Sequence, residues 1–316
     1  MRDILTVTLN PALDLATSVA HMQANVKLRC GPPEMDPGGG GLNVSRAIRL
    51  LGGESRAFVS IGGDTGQALL KLLHDFGLTP VVHDAPGETR QSLAVTDLSS
   101  HDQFRFMLPG PDWSRGDIDN VRRAIREAAP TDGGFLVLSG SGPSGAAPDL
   151  YARICQDFAD TDVKIVLDTS GPTLAHLAAG QEKPPFVLRM DGHEAEELAR
   201  RPLASRKDSA LFAHTLVGRG AAEVVIVARD ADGSVLAVEG RLIHVAAAKV
   251  DVVSKVGAGD SYMGAFTMAL AQGKSLDEAM SYGACAASAA VMSPGTQLCA
   301  KEDFDRLLPE CVVTEL

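Results

Sequence analysis

Short, nearly continuous apolar runs separated by stretches of helical spacing constrain this chain more than any other feature. Ile4–Leu9, Ala57–Ile61, Phe135–Ser139, Ile165–Asp168, Phe186–Arg189 and Val224–Ala228 have the composition of strands buried on both faces. Between them, Asn43–Leu51, Thr65–Phe76, Asp117–Ala129, Ala147–Phe158 and Ser209–Val217 carry apolar residues at helical spacing. This alternation predicts a doubly wound α/β fold, a mostly parallel sheet flanked by helices. Two stretches do not fit it. Residues 14–36 hold a short polar–apolar alternation, and Gln91–Thr96 with Gln103–Met107 reads as a hairpin around the polar loop Asp97–Asp102. Strands set apart in this way suit a small cover over the main sheet. Without an internal repeat, charge block or low-complexity linker, the expectation is one domain over residues 1–316, its lid strands supplied by about 14–36 and 91–107.

Charge narrows the function. With 29 basic and 40 acidic side chains the net charge is −11, so a polyanion such as nucleic acid or an anionic membrane would be repelled overall. Aromatic residues make up only 4%, too few for base-stacking platforms. A local basic pocket for a small phosphorylated ligand is compatible with this balance. No uninterrupted apolar run approaches the ~18 residues of a membrane span. The first residues include Asp3 and Asp14 and lack the order of a signal peptide. Cys30, Cys155, Cys285, Cys299 and Cys311 form neither a CxxC nor a zinc-spaced set, which suits reduced thiols in a cytoplasmic protein.

Two glycine-rich segments carry the chemistry. In Val256-Gly257-Ala258-Gly259-Asp260-Ser261 the glycines allow a tight turn into a helical run. Backbone N–H groups converging there suit a phosphate or a developing oxyanion. Asp260 at the same turn could take a proton from an attacking hydroxyl. An ordinary glycine turn with Asp260 as helix N-cap would look the same in sequence. Near the N-terminus, Gly38-Gly39-Gly40-Gly41 precedes Asn43 and a helix. Four glycines cost backbone entropy on ordering, and close approach to a ligand is one compensation; a flexible surface loop is the alternative. No Gly-Lys-Ser/Thr follows, so the run is not a Walker A loop. A GxGxxG after Ile4–Leu9 is also missing, which argues against a dinucleotide-dependent oxidoreductase.

Together, the stretch Pro37 to Gly53 (PGGGGLNVSRAIRLLGG) and Val256–Phe266 (VGAGDSYMGAF) resemble the PfkB family of ribokinase-like carbohydrate kinases. Within it, Thr8–Asp14, Lys27–Cys30, Thr89–Gln91, Gln103–Gly110 and Leu138–Ser141 are most similar to the minor-type 6-phosphofructokinases, in order over about residues 4–300. The resemblance implies ATP-dependent phosphorylation of the 1-hydroxyl of fructose 6-phosphate. Tagatose 6-phosphate, fructose 1-phosphate or a binding protein without turnover are the alternatives. By motif, Asp14, Gly39, Gly40 and Asn43 would hold sugar hydroxyls; Lys27, Arg29 and Arg90 would face its phosphate, with Ser139 nearby. Asp260 would be the base, in an anion hole made by Gly257, Ala258, Gly259 and Asp260. Arg189, Asp191, Arg229, Gly233, Gly257, Gly259 and Ser288 would line the nucleotide, with Glu194 organising Mg2+ through water. The family's small sheet covers the sugar and commonly pairs two subunits, so a homodimer is expected.

The nucleotide side departs from the family pattern. Asp191 replaces an Asn, with Arg189 or a metal as its expected offset. Ala228–Gly233 replaces a Ser/Thr-x-Gly-x-x-Gly motif and adds Asp230 and Asp232, whose charge would repel a triphosphate unless Mg2+ or Arg229 intervenes. Ser293 and Gln297 stand where relatives often have Asn and Arg beside a monovalent-cation site, which puts potassium activation in question.

Overall fold

The computed structural model describes residues 1–131, 133–294 and 297–316. Its strands are β1 (Ile4–Thr8), β2 (Ala12–Val19), β3 (Glu34–Gly38), β4 (Arg56–Ile61), β5 (Val81–Asp84), β6 (Arg90–Asp97) and β7 (Gln103–Met107). They continue as β8 (Phe135–Ser139), β9 (Lys164–Asp168), β10 (Val187–Met190), β11 (Val224–Ala228), β12 (Ser234–Val238), β13 (Arg241–Val245) and β14 (Val313–Glu315). The helices are α1 (Gly40–Leu50), α2 (Gly63–Asp75), α3 (Arg115–Ala128), α4 (Leu150–Asp157) and α5 (Gly171–Ala178). The second half adds α6 (Gly192–Ala199), α7 (Arg206–Gly218), α8 (Ala258–Ala271), α9 (Leu276–Ala290) and α10 (Lys301–Leu307).

The large sheet runs β14-β13-β12-β11-β10-β9-β8-β1-β4-β5. From β11 to β5 every pairing is parallel, and each apolar run read from sequence as a buried strand lies in this block. The antiparallel extension β12–β14 was not anticipated. Its hairpin turns at Glu239-Gly240, where Gly240 takes φ 72°. Alternate side chains of the parallel strands fill the core: Leu5, Val7, Leu136, Leu138 and Leu188 pack in one cluster, Ile4, Val137, Val166 and Ile226 in a second, and Ala57, Val59 and Ile61 of β4 in a third with Leu42, Leu69 and Leu73.

The small sheet is β3-β2-β6-β7, so both poorly fitting stretches do build a separate layer. β6 and β7 form the expected antiparallel hairpin, while β2 runs parallel to β6 from Ala12↔Arg90 to Val19↔Asp97. Asp97 closes the loop, accepting from the Ser99 hydroxyl at 2.6 Å and the Met22 amide at 2.8 Å.

One close approach sets up the site. A Cβ on Gly264 would lie 3.0 Å from both the Ala47 Cβ and the Val44 carbonyl oxygen, so α8 can cross α1 this tightly only with glycine there. That crossing brings the N-terminal turns of α1 and α8 side by side.

Candidate active site

Because the central strands are parallel, their carboxyl ends share one edge, where ligands of open α/β sheets bind. Thr8, Ser139 and Asp168 end β1, β8 and β9 there. Asp260 reaches the same edge from α8. Gly257, with φ 78°, is the helix N-cap, so Asp260 is the third helical residue and not the cap itself. Its Oδ2 accepts from Asn43 Nδ2 at 2.9 Å and its Oδ1 from the Ser139 hydroxyl at 3.2 Å. Burial pushes this carboxyl up to about 6; the Asn43 hydrogen bond pulls it back, and the Asp168 charge raises it further. The first turn of α8 leaves N–H groups without a carbonyl behind them in the helix, aimed at the same space.

The glycine run is ordered, and protein occupies every place a side chain would need. A Cβ on Gly38 would meet Asp14 Oδ2 at 2.1 Å, and one on Gly40 the Ser139 hydroxyl at 2.3 Å. Gly39 has φ 130° and would meet Thr8 Cγ2 at 2.5 Å. At Gly41 the obstacle is backbone: the Val7 carbonyl oxygen at 2.4 Å. The run is therefore β3 turning into α1 against β1 and β8, in place of the flexible loop considered from sequence. Gly41→Ala should lift α1 off β1 and cost about 1–3 kcal/mol. Urea unfolding measures this, and an unchanged midpoint would contradict the packing account.

On the sugar side, Asp14 of β2 accepts a hydrogen bond from the Ser92 hydroxyl of β6. Burial raises its pKa, against which Ser92, Arg90 and Arg105 act. The registers Asp14↔Ser92 and Ala94↔Arg105 put Asp14, Arg90, Ser92 and Arg105 on one face of the small sheet. Arg90 spends Nε on the Asn10 carbonyl at 3.3 Å. Lys27 and Arg29 lie exposed between β2 and β3, with no side-chain partner among the described residues. Ser139 lies beside the candidate base, its hydroxyl donating to Asp260 at 3.2 Å.

The nucleotide side needs more revision. Arg189 does not offset Asp191. It is buried, pairs with Asp168 at 2.8 Å and stacks over Tyr262, its guanidinium centre 5.4 Å from the ring centroid. A Cβ on Gly259 would meet its Nη1 at 3.0 Å, so Arg189 lies directly beneath the glycine turn. Burial alone would lower its pKa, but Asp168 together with Tyr262 and Asp260 outweighs that and holds it above the ordinary range. Asp191 caps α6, accepting from the Glu194 amide at 2.8 Å, while Glu194 Oε2 accepts from the Asp191 amide at 2.8 Å. Burial raises the Glu194 pKa.

Arg229 is spent within the protein: it donates to Asp232 at 3.0 Å, the Ser209 hydroxyl at 2.5 Å, the Leu203 carbonyl at 3.0 Å and the Ala204 carbonyl at 3.2 Å. It has no fork left to offer a phosphate. Arg206 also grips Asp232 and, as the largest cause, holds its carboxyl down at about 2. Asp230 pairs with Lys255 at 3.0 Å. The two added acids thus have local counter-charges. Gly233 serves the turn, since at φ 97° a Cβ would sit 1.9 Å from the Val245 carbonyl oxygen. Ser288, expected to line the nucleotide, has its hydroxyl satisfied within the protein. It is 5% exposed, and its hydroxyl donates to the Ala284 carbonyl at 2.9 Å and accepts from the Ala248 amide at 3.1 Å. In the segment read as bordering a cation site, Gly295 and Thr296 lie outside the described residues.

Sequence reasoning missed Asp168, Ser92, Arg105 and Arg46 as members of the site. An acid closing a parallel strand was the available signal for Asp168, and strand alternation was the signal for Arg105. A cavity of about 550 Å³ bordered by Arg2, Arg49 and Arg56 lies at the amino ends of β1 and β4, the opposite edge from this chemistry.

Comparison with known proteins identifies the family. The model of the pfkB family carbohydrate kinases matches residues 7–303. The ATP-dependent 6-phosphofructokinase isozyme 2 of Mycobacterium tuberculosis is 37% identical over 303 residues, 96% of this chain and 88% of that protein. Phosphofructokinase-2 from Escherichia coli superposes in its potassium complex with a TM-score of 0.91 at 34% identity, covering 98% of this chain and 99% of the other. Its complex with fructose-6-phosphate gives 0.89 at 32% identity and the same coverage. The fold is ribokinase-like, the chemistry that of a phosphotransferase with an alcohol acceptor, and the chain belongs to the pfkB family of carbohydrate kinases.

Proposed function

We propose that this chain transfers the γ-phosphoryl group of ATP to the 1-hydroxyl of fructose 6-phosphate. The observation that carries the reading is Asp260, held between Asn43 and Ser139 at the start of α8 with its acidity near neutrality. A carboxylate so placed accepts the hydroxyl proton as the oxygen attacks. The α8 N–H groups and Arg189 beneath them face the negative charge that develops on the transferring group. Asp14, Asn43 and the backbone at Gly39 and Gly40 orient the sugar hydroxyls. Arg90, with Arg105 on the same face and Lys27 and Arg29 from the adjacent loop, supplies cations for its phosphate.

Among the described residues no three His, Cys, Asp or Glu side chains form a ready metal cage. That suits Mg2+, which keeps its waters and binds through nucleotide phosphates, with Glu194 and Asp168 as the carboxylates placed to hold those waters. When bound, it would neutralise charge on the phosphates. The potassium in the Escherichia coli structure belongs to that protein.

The reading extends to one domain whose small sheet closes over the sugar, excluding water. Leu15, Leu93, Met35 and Phe106 share the face opposite Asp14, and Met35 and Phe106 are 51% and 49% exposed. A second copy docking there would give the homodimer. No described helix is long and apolar enough to cross a membrane, and the reading places the enzyme in the cytoplasm.

Release of ADP from Mg-ATP, measured with fructose 6-phosphate, tagatose 6-phosphate and fructose 1-phosphate in turn, tests the assignment. Turnover of roughly 1–100 s⁻¹ with fructose 6-phosphate is expected. Preference for another sugar would reassign the substrate, and sugar binding without turnover would make the chain a sensor.

A further inference from the structure

Arg46 sits on α1 one turn beyond Asn43, 6% exposed. Its Nη1 donates to Asn43 Oδ1 at 3.0 Å and to the Pro37 carbonyl at 3.4 Å. Nη2 lies 3.7 Å from Asp36 Oδ1, and the guanidinium stacks 5.1 Å above the Phe76 ring centroid. Its charge also acts on Asp14 of β2 and Asp260 of α8. Nε is buried without a partner among the described residues. Burying a guanidinium is expensive, and an apolar side chain would fill this space at less cost.

The chemistry of the amide gives the cation a purpose. A carboxamide has one accepting and one donating end, and Asn43 lies between a group that can only donate and a carboxylate that can only accept. With Arg46 on Oδ1, Nδ2 must face Asp260. A flipped amide would set its NH₂ against the guanidinium and its oxygen against the carboxylate, losing both hydrogen bonds. We propose that Arg46 is a positioning residue, which holds Asn43 in the one orientation that donates to Asp260. It rests on the assignment of Asp260 as the base. Besides Asn43 and Arg46 on α1, the groups facing Asp260 are Ser139 of β8, Asp168 of β9 and Arg189 of β10, and none of these orients the amide.

The test is kcat/KM against pH for wild type, Arg46→Met, Asn43→Ala and the double variant. Loss of the donated hydrogen bond makes the carboxylate harder to form, so the acid limb should move to higher pH in both single variants. Arg46→Met should lower kcat/KM about tenfold in the wild-type background and less than about twofold when Asn43 is already Ala, the non-additivity of residues acting in series. Effects that multiply in the double variant, with an unmoved limb, would overturn the proposal and leave Arg46 a packing residue. Arg46→Gln, which keeps a polar side chain but no longer obliges the Asn43 amide to present its oxygen, carries the test if Arg46→Met does not fold. A loss that disappears in the Asn43→Ala background supports the proposal; one that persists there, or no loss at all, overturns it. Failure of the base assignment is distinguishable, because Asp260→Asn would then keep its turnover.

Discussion

Asp260→Asn should leave a folded protein that binds sugar phosphate and turns over ~10²–10⁴-fold more slowly. The substitution keeps the shape and removes the carboxylate proposed to take the proton. Asn43 and Ser139 already donate to this side chain, so an amide oxygen can still satisfy one of them. Single-turnover phosphoryl transfer together with equilibrium binding of fructose 6-phosphate separates the two effects. Turnover within a few-fold of wild type would remove Asp260 from the chemistry. The wild-type pH profile carries the same prediction. The base works as its carboxylate, so with a pKa near 6 the rate should fall as pH drops through about 6. The sign for stability is opposite. Burial raises the folded-state pKa above the unfolded one, so the stabilising contribution is present at low pH and lost as pH rises through about 6. At pH 8 the wild type carries a desolvated charge that Asn does not, and Asp260→Asn should have an equal or higher Tm. Activity and stability thus pull in opposite directions at this residue.

The second large effect is on binding. Arg90→Ala should raise the KM for the sugar phosphate about 100-fold, the loss of a strong charge-assisted contact of roughly 3 kcal/mol, while the KM for ATP hardly moves. Among the described residues Arg90 spends only Nε on the protein, through Asn10, which leaves the two terminal nitrogens of its fork for an anion. Its position beside Asp14, on the face shared with Arg105, argues that this anion belongs to the sugar. Initial rates with each substrate varied in turn check this, and equal increases in both KM values would defeat the assignment. Arg90→Lys should recover only part of the loss, because a point charge replaces a planar fork.

The edge of the main sheet was legible because its cause is local. A run such as Phe135–Ser139 has only one comfortable environment, a strand covered on both faces, and the structure places it there residue for residue. Val224–Ala228 behaves likewise. The helices before and after them were found within a few residues because their apolar spacing is set by the face they bury. Strands β12 and β13 escaped notice although Ser234–Val238 and Arg241–Val245 are short and apolar, since no helix separates them to mark a crossover. β14 holds only three residues and is a strand because β13 offers it an edge.

For the site, motif and chemistry named Asp260, Asn43, Asp14 and Arg90, and tertiary structure brings the first two into contact and sets the other two on one face. Where the reading went astray, the error concerned what else a side chain would touch. Arg229 looked available to a phosphate until Asp232, Ser209 and two carbonyls were found to hold it. Ser288, placed at the nucleotide by motif, ties α9 to the backbone at Ala248. At Gly38 to Gly41 the structure adds a packing reason to the expected approach of a ligand, since protein fills every Cβ position.

Sequence by itself therefore determined the layers and the family and nominated the candidate reacting groups, because periodicity and motif chemistry are carried by residues near one another in the chain. Only the tertiary structure decided which charges are free and which are spent. Whether Arg189 serves Asp191 or Asp168, and whether Asn43 presents its oxygen or its nitrogen to Asp260, depends on partners 21 to 217 residues apart. A side chain has few hydrogen-bonding positions, and packing assigns them.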